Sequence, residues 1–216
     1  MRHHSPAPVS AAFLLLLLAS PTTAQVGPNL RLVNPNLASS EELTALPQMD
    51  ESLAAAVVAA RPFLDMTSLD ALLREHGRAD EAREELYGHL WVPINVNTAS
   101  REEILLIPGV GERMLHEFEE YRPYVALAQF QREIGKYVDE GELARLAQYV
   151  FVPIDLNAAT EEDILSIPGV GERMLHEFLE YRPYQAMAQF EREMGKYVDD
   201  DEVARMARYV EVRPSN

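Results

Sequence analysis

Residues 97–124 read NTASREEILLIPGVGERMLHEFEEYRPY, and residues 157–184 read NAATEEDILSIPGVGERMLHEFLEYRPY. The stretch from Ile107 to Phe118 returns unchanged from Ile167 to Phe178, 60 residues on. Self-similarity at a fixed period marks a repeat architecture in which each copy is one supersecondary unit. The likeness extends outward from this stretch, from Asn97 to Val152 and from Asn157 to Val212. Within it, Gly135-Lys136-Tyr137-Val138-Asp139 returns as Gly195 to Asp199.

A weaker copy precedes these two. Asn36-Leu37-Ala38-Ser39 matches Asn97-Thr98-Ala99-Ser100, and Arg61-Pro62-Phe63 matches Arg122-Pro123-Tyr124. In this copy the turn reads Pro47-Gln48-Met49-Asp50, without glycine. The units are therefore expected at 30–93, 94–153 and 154–213. The joints between them, Val92 to Ile94 and Val152 to Ile154, are short, so docked units are expected rather than beads on a flexible string.

Each unit reads as helices. Ser100-Arg101-Glu102-Glu103 has the form of a capping box, in which the hydroxyl and the carboxylate satisfy free backbone donors at a helix start. Ser39-Ser40-Glu41-Glu42 repeats it, and Thr160-Glu161-Glu162-Asp163 is a near form. Pro108 and Gly109 stop this first helix, and a second starts after Gly111 with Met114, Leu115 and Phe118 inward. Arg122-Pro123 ends the second helix. Phe130 and Ile134 mark a third, and Asp139-Glu140-Gly141-Glu142 starts a fourth. No alternating run is long enough for a sheet. The fold class expected is all-α: three tandem small helical bundles.

The N-terminus carries a different signal. Arg2 precedes an apolar run, Ala11 to Ala19, and Thr22 and Ala24 offer small residues for cleavage before Gln25. The run is too short to span a bilayer comfortably, so residues 1–24 read as a secretory signal and the protein as exported, periplasmic or extracellular. There is no cysteine, which excludes disulfides and thiolate metal sites. The net charge is −16; removing residues 1–24 takes away Arg2 and no acid, leaving −17. Such a balance is unusual for a nucleic-acid binder, whose affinity normally rests on Lys and Arg at phosphates. Only Lys136 and Lys196 are lysines, and abundant acid with scarce lysine fits a surface suited to high salt.

With the Asn97-Thr98-Ala99-Ser100 start, the Ile107-Pro108-Gly109-Val110-Gly111 hairpin and the Arg122-Pro123-Tyr124 exit in view, the chain resembles helix-hairpin-helix modules of the ComEA type. These occur in exported competence proteins and in related secretion-system proteins, and the resemblance covers nearly all of 34–213. It implies tandem helix-hairpin-helix modules that grip the phosphates of double-stranded DNA across the minor groove. Physical chemistry gives the same site: glycines admit φ > 0, and backbone N–H groups at a helix start, aided by the dipole, face an anion. Carried over, Gly109, Val110 and Gly111 would cradle one phosphate and Gly169, Val170 and Gly171 another. Arg113 and Arg173 stand where the family often has lysine and would add charge-assisted contacts. Lys136 and Lys196 are auxiliary basic candidates.

Several residues depart from that pattern. Glu112 and Glu172 directly follow the hairpins, Leu115 and Leu175 replace small residues, and the second turns, Ile134-Gly135-Lys136-Tyr137 and Met194-Gly195-Lys196-Tyr197, lack Gly-x-Gly. The alternative for both hairpins is a turn that only joins helices. For Arg113 the alternative is an i,i+4 pair with Glu117, and Arg132 and Arg192 read as paired with nearby glutamates. His116 and His176 follow Glu112 and Glu172 by one turn but read as a solvated face, so no metal and no cofactor are expected. Tyr121, Tyr124, Tyr137, Tyr149 and Trp91 read as packing, and Asp199-Asp200-Asp201-Glu202 as a helix start rather than a calcium site. No nucleophile–base pair is evident, so the chain reads as non-enzymatic. Double-stranded DNA is the expected partner, acting in uptake; the alternative is a protein-interaction module of an envelope or type II secretion assembly.

Overall fold

The structure is a computed structural model that describes residues 32–214; the signal-like segment 1–24 lies outside them. The described chain is predominantly helical, in three consecutive units of four helices each. Unit one holds α1 (Ser40–Thr44), α2 (Glu51–Ala59), α3 (Met66–Glu75) and α4 (Asp80–Tyr87). Unit two runs β1 (Ile94–Asn95), α5 (Arg101–Leu105), α6 (Glu112–Glu120), α7 (Leu127–Ile134), α8 (Glu140–Ala147) and β2 (Val150–Phe151). Unit three repeats this as β3 (Ile154–Asp155), α9 (Glu161–Leu165), α10 (Glu172–Glu180), α11 (Met187–Met194), α12 (Asp200–Ala207) and β4 (Val210–Glu211).

The expectation of no sheet is corrected in a small way. β1 pairs in parallel with β2 and β3 with β4, and Val33 makes the equivalent single bridge to Leu90. Two residues are too few to show alternation in a sequence. Their role is closure: the Ile94 N–H donates to Tyr149 O at 2.9 Å and the Ile154 N–H to Tyr209 O at 2.9 Å, so each unit's exit is tied to its entrance.

The first helices start where the sequence placed them. All three capping boxes form, with Ser39, Ser100 and Thr160 as N-caps and Glu42, Glu103 and Asp163 reaching back. A second tie fixes each unit's middle. The Asn97 side chain accepts from the Tyr124 N–H at 2.7 Å and donates to Tyr124 O at 2.8 Å, as one strand residue pairs with another. Asn36 holds Phe63, and Asn157 holds Tyr184, in the same way. The preceding arginines, each before a cis proline, bond back to the entrance loop: Arg122 donates to Val96 O and Ala99 O. Unit one keeps this frame although it has lost the hairpin glycines.

Buried apolar side chains of units one and two form one continuous cluster from Leu32 to Val152, whereas unit three has its own, from Phe151 to Val210. Trp91 joins the first two units: its indole N–H donates to Tyr149 O at 2.9 Å and its ring stands edge-on to Tyr149. Arg208 of unit three crosses back to the first joint, donating to Pro93 O at 2.7 Å over the Phe151 ring. Burial pushes its guanidinium pKa down. Among the described residues, no helix is long and apolar enough to cross a membrane.

Candidate nucleic-acid interface

The hairpins are tight turns with one strained position each. Gly109 has φ +78° and Gly169 φ +83°, the left-handed region that glycine enters at little cost. Gly111 and Gly171 are different from the expectation: at φ −111° and −113° they are extended N-caps of α6 and α10. Glycine is needed there for what it omits. It carries no capping side chain, so neither helix start has a side-chain cap. The first N–H groups of a helix have no intrahelical acceptor and remain available to a guest.

Unit one shows what happens without glycine. Gln48 takes the left-handed position at φ +60°, and Asp50 replaces the N-cap glycine. Its carboxylate accepts from the Leu53 N–H at 2.8 Å and is clamped by Arg78. The place an external anion would take is filled by the protein's own. These two contacts, the backbone N–H first, hold the Asp50 carboxyl below the ordinary aspartate range.

One part of the expected cradle is used within the turn itself. The Val110 N–H donates to Ile107 O at 3.0 Å and the Val170 N–H to Ile167 O at 3.0 Å, and both valines are buried. They close the turn and anchor it in the core, so their N–H groups are not open to an external anion. The exposed groups of the candidate site are Gly109, Gly111 and Arg113, with Gly169, Gly171 and Arg173 in the repeat.

Arg113 and Arg173 lie exposed beside the uncapped helix starts, and neither is drawn into an ion pair. The alternative Arg113–Glu117 pair does not form, because Glu117 is turned into the protein and buried. Lys136 and Lys196 are less free. Each ammonium contacts its neighbour Glu133 or Glu193, which also holds Arg132 or Arg192 at 2.7 Å, and each lies over a tyrosine ring, Tyr121 or Tyr181. These pairings lower the Glu133 and Glu193 carboxyls and raise the two lysines.

The two glycine hairpins differ in surroundings. In unit two, Arg101 holds Glu112 at 2.6 Å and Glu119 at 2.7 Å, which offsets the charge of Glu112. Unit three has Glu161 in place of Arg101, so Glu172 lacks that partner. Sequence reading missed another pair of participants, Arg145 and Arg205, which reach the hairpins from the last helix of each unit. Arg145 is paired with Glu142 at 2.7 Å and stands near Gly109 with its side chain 31% exposed. Arg205, 3% exposed, donates to Pro168 O and is locked against Gly169. Leu37 of unit one also packs on Gly169. The Gly109 hairpin instead borders a cleft of about 410 Å³ shared with Asp80, Glu84 and Tyr87 of α4. Only a long-range contact map carries such placements; residue spacing along the chain does not.

No family model matches the chain, and neither a curated protein nor a solved structure matches it.

Proposed function

We propose that the protein is an exported, non-enzymatic binder of double-stranded DNA that holds the phosphate backbone without reading sequence, in tandem helix-hairpin-helix modules of the ComEA type. The observation that supports this reading is the uncapped start of α6 behind Gly109 and Gly111, with Arg113 exposed beside it and free of ion pairs. Backbone N–H groups, a helix dipole and a guanidinium converge there on the space an anion would fill. Such contacts position a backbone but distinguish no base. The Gly109 hairpin is the principal grip. The Gly169 hairpin, crowded by Arg205 and Leu37 and lacking an Arg101 equivalent, is the weaker one. DNA uptake is the setting we assign, from the signal-like N-terminus and the motif.

A second reading has its own observation. Asp80 and Glu84 line the cleft beside the Gly109 hairpin, and unit one has replaced its anion site by Asp50. An acidic cleft against a helix start suits a protein segment of an envelope or secretion assembly better than a phosphate chain. Residues 25–216, mixed with labelled duplexes of unrelated sequence at low salt, separate the two readings. Equal retention of all duplexes supports DNA binding, and no retention at the lowest salt removes it.

A further inference from the structure

The second helix of units two and three carries an acidic and histidine-bearing face that the DNA reading does not use. On α10, His176, Glu177 and Glu180 each offer one ligand atom, and these atoms lie within 4.8 Å of one another. We propose that His176, Glu177 and Glu180 form a binding site for a divalent transition-metal cation of the zinc type.

The decisive group is Glu177. Its residue is only 9% exposed, and its Oε2 is buried without a hydrogen-bond partner. A buried carboxylate oxygen with no donor is costly unless something positive meets it. The carboxylate is also backed from behind. The Tyr197 phenol, hydrogen-bonded to Tyr181 at 2.8 Å, stands near it.

The two exposed partners already stand at a suitable separation. His176 Nε2 lies 3.4 Å from Glu180 Oε2. Two ligands about 2.0–2.1 Å from one tetrahedral ion are about 3.4 Å apart, so the ion fits between them with little movement. His176 and Glu177 are neighbours on the helix, and a carboxylate oxygen of Glu177 lies within 4.8 Å of the other two ligand atoms. One imidazole with two carboxylates favours zinc and its neighbours over magnesium or calcium, which take all-oxygen sets. Three protein ligands leave a coordination position for water.

The same residue types recur on α6 as His116, Glu117 and Glu120, but their ligand atoms do not all lie within 4.8 Å of one another. There too Glu117 Oε2 is buried without a partner, and His116 Nε2 stands 3.6 Å from Glu120 Oε2. Unit one has Ala55, Ala56 and Ala59 at the corresponding positions of α2 and lacks the site. This set differs from the Glu-x-x-x-His spacing visible in sequence. Glu112 is tied to Arg101 and takes no part.

The test is calorimetric titration of tag-free, chelator-stripped protein (residues 25–216) with zinc chloride, with magnesium chloride as the comparison. Zinc uptake is expected, with magnesium binding at least about tenfold weaker. His176→Gln should remove the bound equivalent, whereas His116→Gln should leave it in place. The histidine side chains are exposed, so the circular dichroism of both variants should match the parent. Absent zinc uptake, uptake unchanged in His176→Gln, or equal affinity for magnesium would overturn the proposal.

Discussion

Asp50 accepts a hydrogen bond from the Leu53 N–H at 2.8 Å, at the helix start that Gly111 and Gly171 leave open in the other two units. One carboxylate therefore separates a closed helix start from two open ones. Asp50→Ala should destabilise unit one by removing its side-chain N-cap. Urea unfolding measured against the parent checks this.

The same carboxylate gives a pH dependence with a definite sign. Its folded pKa is depressed, first by the Leu53 N–H and then by Arg78. The unfolded group titrates near the ordinary aspartate value of about 3.9. The contribution is fully present above that value and is lost as pH falls through the depressed folded value. Asp50→Asn should therefore flatten the loss of stability below about pH 4, measured as the urea midpoint at stepped pH.

Asn97→Ala should cost about 2 kcal/mol, because it removes both hydrogen bonds to the Tyr124 backbone from a half-buried site. Asn97→Asp keeps the acceptor for the Tyr124 N–H but sets a carboxylate oxygen against Tyr124 O, so its cost should match or exceed that of alanine. Thermal or urea unfolding of the pair checks the order.

The two hairpin glycines should respond differently to alanine. Both pay about 1 kcal/mol for a side chain at positive φ. At Gly169 the new Cβ would also stand 2.8 Å from Arg205 Nη2 and 3.0 Å from Leu37 Cδ2, whereas at Gly109 the nearest neighbour is 3.6 Å away. The Arg205 guanidinium is held by Glu202 and Pro168 and does not yield freely. Gly169→Ala should thus cost about 1–3 kcal/mol more than Gly109→Ala. Equal costs would show that unit one does not press on the third hairpin.

Arg101→Glu tests the electrostatic difference between the hairpins. The lost ion pairs are exposed, so stability should change by no more than about 1 kcal/mol. DNA affinity should fall several-fold, because Glu112 is released beside the open helix start. The unit-three change Glu161→Arg should act in the opposite direction.

The fold was legible where short-range chemistry decides it. The capping boxes at Ser39, Ser100 and Thr160 set helix starts, and Pro108 and Gly109 set a stop, all within a few residues along the chain. The repeat then extended the reading of unit two to unit three, and more weakly to unit one. The parallel pairs such as Ile94 with Val150 were hidden because two-residue strands carry no period. Of the candidate site, the glycines and Arg113 were legible from the motif. The internal use of the Val110 N–H was not, since only turn geometry shows where an amide points. Arg145, Arg205 and Leu37 were hidden for another reason: each meets its hairpin across a long stretch of chain, and nothing local marks the encounter.

On the proposed function, phosphates are held at the Gly109 hairpin by backbone donors and the unpaired Arg113. Fluorescence anisotropy of a labelled duplex, titrated with residues 25–216 at stepped salt, tests it most directly when Gly109→Val and Arg113→Ala are run beside the parent. The account predicts that log affinity falls linearly with log salt, with a slope of about −2 for two guanidinium–phosphate contacts. Gly109→Val should weaken binding severely by removing the principal grip, and Arg113→Ala should make the slope shallower by about one. Binding that ignores both salt and these two changes, or no binding at the lowest salt, would contradict it.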